Sequence, residues 1–310
     1  MFSVYITENG RIGEIKNEQP GCWIKLTNPT EHECEKVSEE YNIELADVRA
    51  ALDEDESSRV ITEENYTLIL IDIPTQEMVN VDISYTTIPL GIIIANGAVI
   101  TVCSKETNVV KDFVDQRIRN FSTKKPKRFA TQVIYNCCLV YQNLLRKIDR
   151  SRTEIENKVN EGLEDRDLMR LHYLESNLVY FATSLRANSS VLDRIKRYRI
   201  LREHEEDEEL LDDTIIENMQ AIETTKIYQD IIKATSELFS TVINNRMNDT
   251  MKFLTSMTIV MAIPTIITGV WGMNVKLPFG NLSAGFLIVM IINIIACLVM
   301  VLILKIKKMM

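Results

Sequence analysis

Two uncharged runs near the C-terminus constrain this chain more than any other feature. Residues 253–271, FLTSMTIVMAIPTIITGVW, and 284–304, AGFLIVMIINIIACLVMVLIL, contain no Asp, Glu, Lys or Arg. Each is about as long as the ~20 residues that cross a ~30 Å hydrocarbon core. Between 253 and 304 the only charge is Lys276. Two such runs joined by a short loop predict two membrane-spanning helices rather than two buried core helices. Pro264 inside the first run is compatible with this, because neighbours in a membrane bundle satisfy the carbonyl that proline frees. Arg246 and Lys252 precede the first run, and Lys305, Lys307 and Lys308 follow the second. The positive-inside rule then puts both termini in the cytoplasm and the connecting loop outside a cell membrane.

The preceding ~250 residues hold nearly all the charge. The net charge of −9 over 310 residues argues against a nucleic-acid partner and suits a surface that attracts cations. The six cysteines, Cys22, Cys34, Cys103, Cys137, Cys138 and Cys297, form neither a CxxC pair nor a Cys/His metal spacing, which predicts free thiols in a reducing compartment. The first residues, MFSVYITENG, lack the basic and apolar regions of a cleavable signal. There is no Walker loop and no GxGxxG, and His32, His172 and His204 stand apart in helical contexts. No enzymatic constellation emerges.

Residues 1–125 read as an α+β domain, a mixed sheet with flanking helices. Asn9-Gly10 and Asn96-Gly97 sit between apolar runs and signal hairpin turns. Strands are expected at residues 2–6, 11–15, 23–26, 66–73, 87–94 and 98–103. Thr30 and Glu33 form a capping-box pattern that opens a helix of about ten residues. From about Arg128 the pattern turns helical. A break near Glu161-Gly162 predicts a helical hairpin whose second arm runs over 165–202. The run 203–213, EHEEDEELLDD, has eight carboxylates in eleven residues; a helix start and a cation-attracting surface both fit it. From about Glu208 to Met273 glycine and proline are nearly absent, so one stalk helix of ~65 residues, ~100 Å long at ~1.5 Å per residue, is expected. The divisions are 126–250 for hairpin and stalk, 251–273 and 284–304 for the spans, 274–283 for the outer loop and 305–310 for a basic tail.

Along the first span, Asn248, Met251, Thr255, Thr258, Ala262, Thr265 and Gly269 recur at 3-4-3-4 spacing. A 3.5-residue repeat marks parallel helices wound around one another. The stripe is small or hydroxyl-bearing within the span, which suits either close helix packing or a narrow, weakly polar conduit. Met251 and Leu254 supply apolar bulk for a constriction that gates by dewetting. The span then ends in Val270-Trp271-Gly272-Met273-Asn274. Gly and Asn commonly cap helices, Gly272 offers the chain freedom to turn, and Asn274 offers a neutral carbonyl acceptor.

Gly272-Met273-Asn274 in this architecture, behind an aromatic residue and at the end of the first of two C-terminal spans, resembles the signature of the CorA magnesium/cobalt transporters. The resemblance covers the whole chain. It implies a homopentamer with one central pore, lined by the first span, while the second span faces membrane lipid. It implies passive Mg2+ influx, with Co2+ and Ni2+ as surrogates, past a ring of Asn274 at the outer mouth. The implied pore positions are Asn248, Met251, Leu254, Thr258, Ala262, Thr265 and Gly269. Regulatory Mg2+ is implied at subunit interfaces, at Asp213 with Glu77 of the neighbouring sheet. Zinc-transporting relatives share the triplet, so another divalent metal is the alternative cargo. Residues 275–282 carry no carboxylate, unlike the acidic outer loop common in the family. A reading of a different class is a membrane-anchored sensor or scaffold, for which neither stripe nor triplet is needed.

Overall fold

The fold was obtained as a computed structural model and describes residues 1–79, 82–118, 120–160, 164–273, 284–307 and 309. Glu161-Gly162, Asn274, the rest of the 274–283 loop and Lys308 lie outside the described residues. The chain forms two compact units, Met1–Thr235 and Ser236–Met310.

The first unit is built on a seven-stranded sheet of order β2-β1-β3-β7-β6-β5-β4. The strands are β1 (Phe2–Glu8), β2 (Arg11–Ile15), β3 (Trp23–Thr27), β4 (Arg59–Thr62), β5 (Tyr66–Val79), β6 (Asp82–Ala95) and β7 (Ala98–Cys103). Every neighbouring pair is antiparallel except β3 with β7. Both expected hairpin turns form: Asn9 and Gly10 have φ of 49° and 74°, and Asn96 and Gly97 48° and 77°, the left-handed pair that a tight type I′ hairpin requires. Helix α1 (Glu31–Tyr41) carries the expected capping box, with Thr30 Oγ1 accepting from Glu33 N and Glu33 Oε2 accepting from Thr30 N at 2.8 Å.

β5 and β6 run well past their expected windows, to fourteen residues each. The windows caught only the parts buried on both faces; the extension is polar on one face and carries no continuous apolar run. β4, helix α2 (Leu45–Arg49) and helix α3 (Asn108–Val114) are too short to show a period in sequence. The hairpin arms are α4 (Pro126–Asn157) and α5 (Asp165–Tyr198). α5 stops four residues before the expected 202 because Arg199 adopts the left-handed conformation, φ 51°.

Helices cover both faces of the sheet. On one side Cys34, Val37, Tyr41 and Val48 pack with Ile24, Leu26, Leu68, Leu70, Ile100 and Val102. On the other, Trp23 stacks obliquely on Tyr5 and edge-on against Phe129, both at 5.2 Å, and Tyr141 meets Phe181 edge-on at 5.0 Å. Trp23 Nε1 donates to Thr101 Oγ1 at 2.9 Å, so the buried indole keeps a partner.

The long β5–β6 ribbon is held by polar side chains on one face of α5. β4 reaches only to the pair Arg59↔Leu70, so the outer edge of β5 is open beyond it. Asp72, opposite Pro89 of β6, turns its backbone N–H and C=O toward that open edge, where both go to Asn188: Asp72 N–H donates to Oδ1 at 2.8 Å and Nδ2 donates to Asp72 O at 2.7 Å. One side-chain amide thus continues the ladder where the strand is missing. Asn177 Oδ1 accepts from Tyr85 N at 3.1 Å and from Ser84 Oγ at 2.8 Å.

Helix α6 (Glu205–Trp271), 67 residues long, covers in one element the residues expected as stalk and first span. Helix α7 (Gly285–Ile306) covers those expected as the second span. Both helices are long and apolar enough to cross a membrane. In the second unit they lie antiparallel, with Ser256 Oγ donating to Met309 O at 2.8 Å and Pro264 and Thr268 facing Asn293 and Cys297 across a shared cleft.

Candidate functional site

Within the second unit α6 has two distinct faces. Ser256 is buried, and Ile259, Val260, Ile263, Pro264, Ile267 and Trp271 are half-buried. These positions fall on one side at the 3-4 spacing of a packing seam. Asn248, Met251, Leu254, Thr255, Thr258, Ala262, Thr265 and Gly269 are all exposed. At about 100° per residue they centre on the side opposite the seam. The stripe read from the sequence is therefore the face that α7 leaves uncovered.

The hydroxyls of this face are oriented by their own helix. Thr258 Oγ1 donates to Leu254 O at 2.9 Å, and Thr265 Oγ1 donates to Met261 O at 3.1 Å. A hydroxyl has one hydrogen and two lone pairs. With the hydrogen committed to the backbone, what each threonine presents outward is acceptor only. The uncovered face thus offers neutral oxygen acceptors and no fixed charge.

At the end of α6, Gly272 N–H still donates to Thr268 O at 2.9 Å. A Cβ at Gly272 would meet only Thr268 O at 3.4 Å and Gly269 O at 3.6 Å, ordinary contact, and its φ is not in the left-handed region. The conformational reason expected for this glycine does not hold: the helical turn simply continues through it, and any need for a missing side chain must come from outside the chain's own backbone. Met273 is exposed.

The acidic run at the start of α6 is largely committed. Arg128 pairs with Glu206 at 3.2 Å and Asp207 at 3.3 Å, Lys127 with Glu203 at 3.7 Å, Arg202 with Glu208 at 3.1 Å and Lys196 with Asp212 at 2.7 Å. Asp207 also accepts from the backbone N–H of His204 at 2.8 Å, capping the helix start. Glu205, Glu209 and Asp213 make no ion pair among the described residues, are exposed, and lie four residues apart on one face. Glu77, on the far part of β5, is half-buried and pairs with Lys105 at 2.9 Å, which also reaches Glu54 at 3.0 Å. These carboxylates raise the Lys105 pKa above its ordinary value. Among the described residues no three His, Cys, Asp or Glu side chains are gathered to hold a metal ion.

Two residues escaped the sequence reading. Asn293 and Thr268 face the cleft between the apolar helices; an amide inside an otherwise apolar span was the available signal.

A strand-rich α+β unit followed in sequence by one very long helix and a second helix, both long and apolar enough to cross a membrane, defines a class: a membrane protein with a large N-terminal polar domain. Residues 18–308 match the family described as CorA-like Mg2+ transporter protein, and the chain belongs to that family. It is 30% identical to the cobalt/magnesium transport protein CorA of Methanocaldococcus jannaschii over 96% of both chains. It is 25% identical to the CorA of Thermotoga maritima over 95% of this chain and 85% of that one. The complete structure of the M. jannaschii CorA magnesium transporter superposes with a TM-score of 0.81 at 25% identity, covering 98% of this chain and 96% of the other.

Proposed function

We propose that this chain is the subunit of a homopentameric, channel-like transporter that passes Mg2+, with Co2+ and Ni2+ as surrogates, into the cytoplasm of a cell. In this reading α6 surrounds the pore with Asn248, Met251, Leu254, Thr255, Thr258, Ala262, Thr265 and Gly269, and α7 faces lipid. Gly272, Met273 and Asn274 form the outer mouth, and both termini are cytoplasmic. Residues 1–125 and 126–250 are the cytoplasmic α+β domain and the hairpin with stalk. Residues 251–273, 274–283, 284–304 and 305–310 are the first span, the outer loop, the second span and the basic tail.

The observation that carries this reading is the uncovered face of α6, where Thr258 and Thr265 present acceptors alone. Mg2+ parts with its water reluctantly and is usually held through it. Neutral acceptors bind the hydrogens of a hydrated ion without the grip of a carboxylate ring, and conduction needs binding weak enough to leave. Zn2+ sites are made from Cys, His and carboxylates, none of which lies on the stripe, so the same face favours Mg2+ over zinc as cargo. For regulation, the uncommitted Asp213 is the group we assign to cytoplasmic Mg2+. Glu77 joins it only where the metal displaces Lys105.

Mg2+ flux into proteoliposomes holding the purified protein tests the proposal. Wild type should load Mg2+, and Asn274→Ala should lose most of the flux while keeping its oligomeric size by size-exclusion chromatography. Absence of flux in the wild type leaves the sensor or scaffold reading.

A further inference from the structure

The two apolar helices do not close on each other along their whole length. Beside Pro264 they leave a lateral cleft of about 530 Å3, lined among others by Thr268, Met290, Asn293, Ile294 and Leu298. That volume is within the range of small-molecule sites, which pair apolar walls with a few placed polar groups. Here the walls are apolar except at two side chains. Asn293 is only 8% exposed. Its Oδ1 accepts the weak Sγ–H donor of Cys297 at 3.8 Å, and its Nδ2 donates to no described residue. Thr268 Oγ1 gives its hydrogen to Pro264 O at 2.8 Å, so only acceptor lone pairs remain to it.

A cleft offering one spare donor and one spare acceptor complements a group that accepts once and donates once, which is a hydroxyl. The depth narrows the ligand further. Asn293 lies within about 4 Å of the midpoint of α7 at ~1.5 Å per residue, deep in a hydrocarbon core ~30 Å thick. Phospholipid ester groups sit at the edges of that core and do not reach it. We propose that the cleft is a binding site for a membrane-dissolved alcohol: an aliphatic or isoprenoid chain whose hydroxyl accepts from Asn293 Nδ2 and donates to Thr268 Oγ1. The inference needs the two helices to lie in a bilayer and does not depend on the transport reading.

The test uses the full-length protein in lipid nanodiscs and an octanol carrying a diazirine on its chain, with adducts mapped by mass spectrometry. Adducts are expected on Met290, Ile294 or Leu298. Octanol should suppress them, and octane at equal membrane concentration should not. Asn293→Leu should weaken octanol competition about tenfold, the loss of one hydrogen bond, or about 1.4 kcal/mol. Met290→Trp, which fills the cleft, should abolish the adducts at unchanged oligomeric size, and it carries the test where Asn293→Leu fails to assemble. Equal competition by octane, or labelling indifferent to both substitutions, overturns the proposal. So does cross-linking of Cys297 to a second subunit in the unlabelled protein, which would show the cleft filled by another copy of the chain.

Discussion

Replacing Asn188 by Leu should be among the most damaging single changes in the polar domain, and the structure says why and by how much. Asn188 is 3% exposed and makes two hydrogen bonds to the backbone of Asp72. The two bonds are not equivalent. Asp72 O also accepts from Tyr141 Oη at 3.0 Å, so it keeps a partner when the amide is lost. Asp72 N–H faces away from β6 at the open edge of β5, and Asn188 Oδ1 is the acceptor it has. Leucine is near enough in volume to keep water out, so this N–H would be stranded. A lost hydrogen bond costs about 1 kcal/mol and a stranded buried donor about 1–3 kcal/mol, which gives a destabilisation of about 2–4 kcal/mol. Tyr141→Phe should cost only about 0.5–1.5 kcal/mol, because Asn188 still serves the carbonyl. The double variant should lose more than the sum, since the carbonyl is then left with only the weak Sγ–H donor of Cys137 at 3.7 Å; groups sharing one partner are where additivity fails. Thermal unfolding of the full-length protein in detergent, followed by circular dichroism, measures all three. At about 2–4 °C per kcal/mol for a domain of this size, Asn188→Leu should lower the midpoint by several degrees. A single variant indistinguishable from wild type, or strictly additive losses, would refute the claim that this amide replaces the missing strand.

Burial raises the Asp72 carboxyl above its ordinary value, so the folded state holds a proton that the unfolded chain has already released. Its contribution to stability is therefore present in acid and lost as pH rises through the folded value. Asp72→Asn should gain stability over wild type at neutral pH and lose that advantage in acid, as read from paired melting curves. Asp213→Ala should weaken inhibition of flux by internal Mg2+, and unchanged inhibition alone and with Glu77→Ala removes both residues from regulation. A cysteine placed at Asn281 should react with an impermeant thiol reagent in intact cells, whereas one at Glu39 should react only after lysis; the opposite pattern reverses the topology. Native thiols are poor controls in that experiment: Cys22 is fully buried, and burial pushes Cys103 up to about 11 and Cys138 up to about 12.

Much of this was legible in the sequence because the signals were local or strictly periodic. Asn-Gly turns, a Thr-x-x-Glu cap and two uncharged runs each draw their meaning from a few adjacent residues, and the turns, the cap and a helix over each run formed where expected. The stripe on α6 was legible as a period. Its significance was not, because a period gives no face; α7 had to occupy the opposite side before the stripe became the uncovered one. The Asn188 clamp was hidden for a related reason. It answers the early end of a strand more than a hundred residues away, and neither the four-residue β4 nor the lone amide on α5 announces the other. At Gly272 the residue type suggested a sharp turn, yet the helical hydrogen bonding runs through it.

The acidic run shows how structure divides a charge cluster that composition treats as one. Five of its eight carboxylates, Glu203, Glu206, Asp207, Glu208 and Asp212, are held by Lys or Arg of neighbouring segments. Apart from Arg128–Asp207, whose carboxylate is buried, these exposed pairs contribute little stability each, but all of them cancel charge that would otherwise repel along the helix start. The remaining Glu205, Glu209 and Asp213 keep theirs, in a file along one face. Like charges spaced one turn apart repel, and a divalent cation relieves that repulsion more effectively than a monovalent one at equal concentration. The cluster is thus two devices in one segment, a neutralised helix start and an unneutralised file. Under the proposed regulation, cation sensitivity falls to the second: substitution of Asp213 should alter the response to internal Mg2+, while substitution of Asp212 should alter only the hold of Lys196 on the helix.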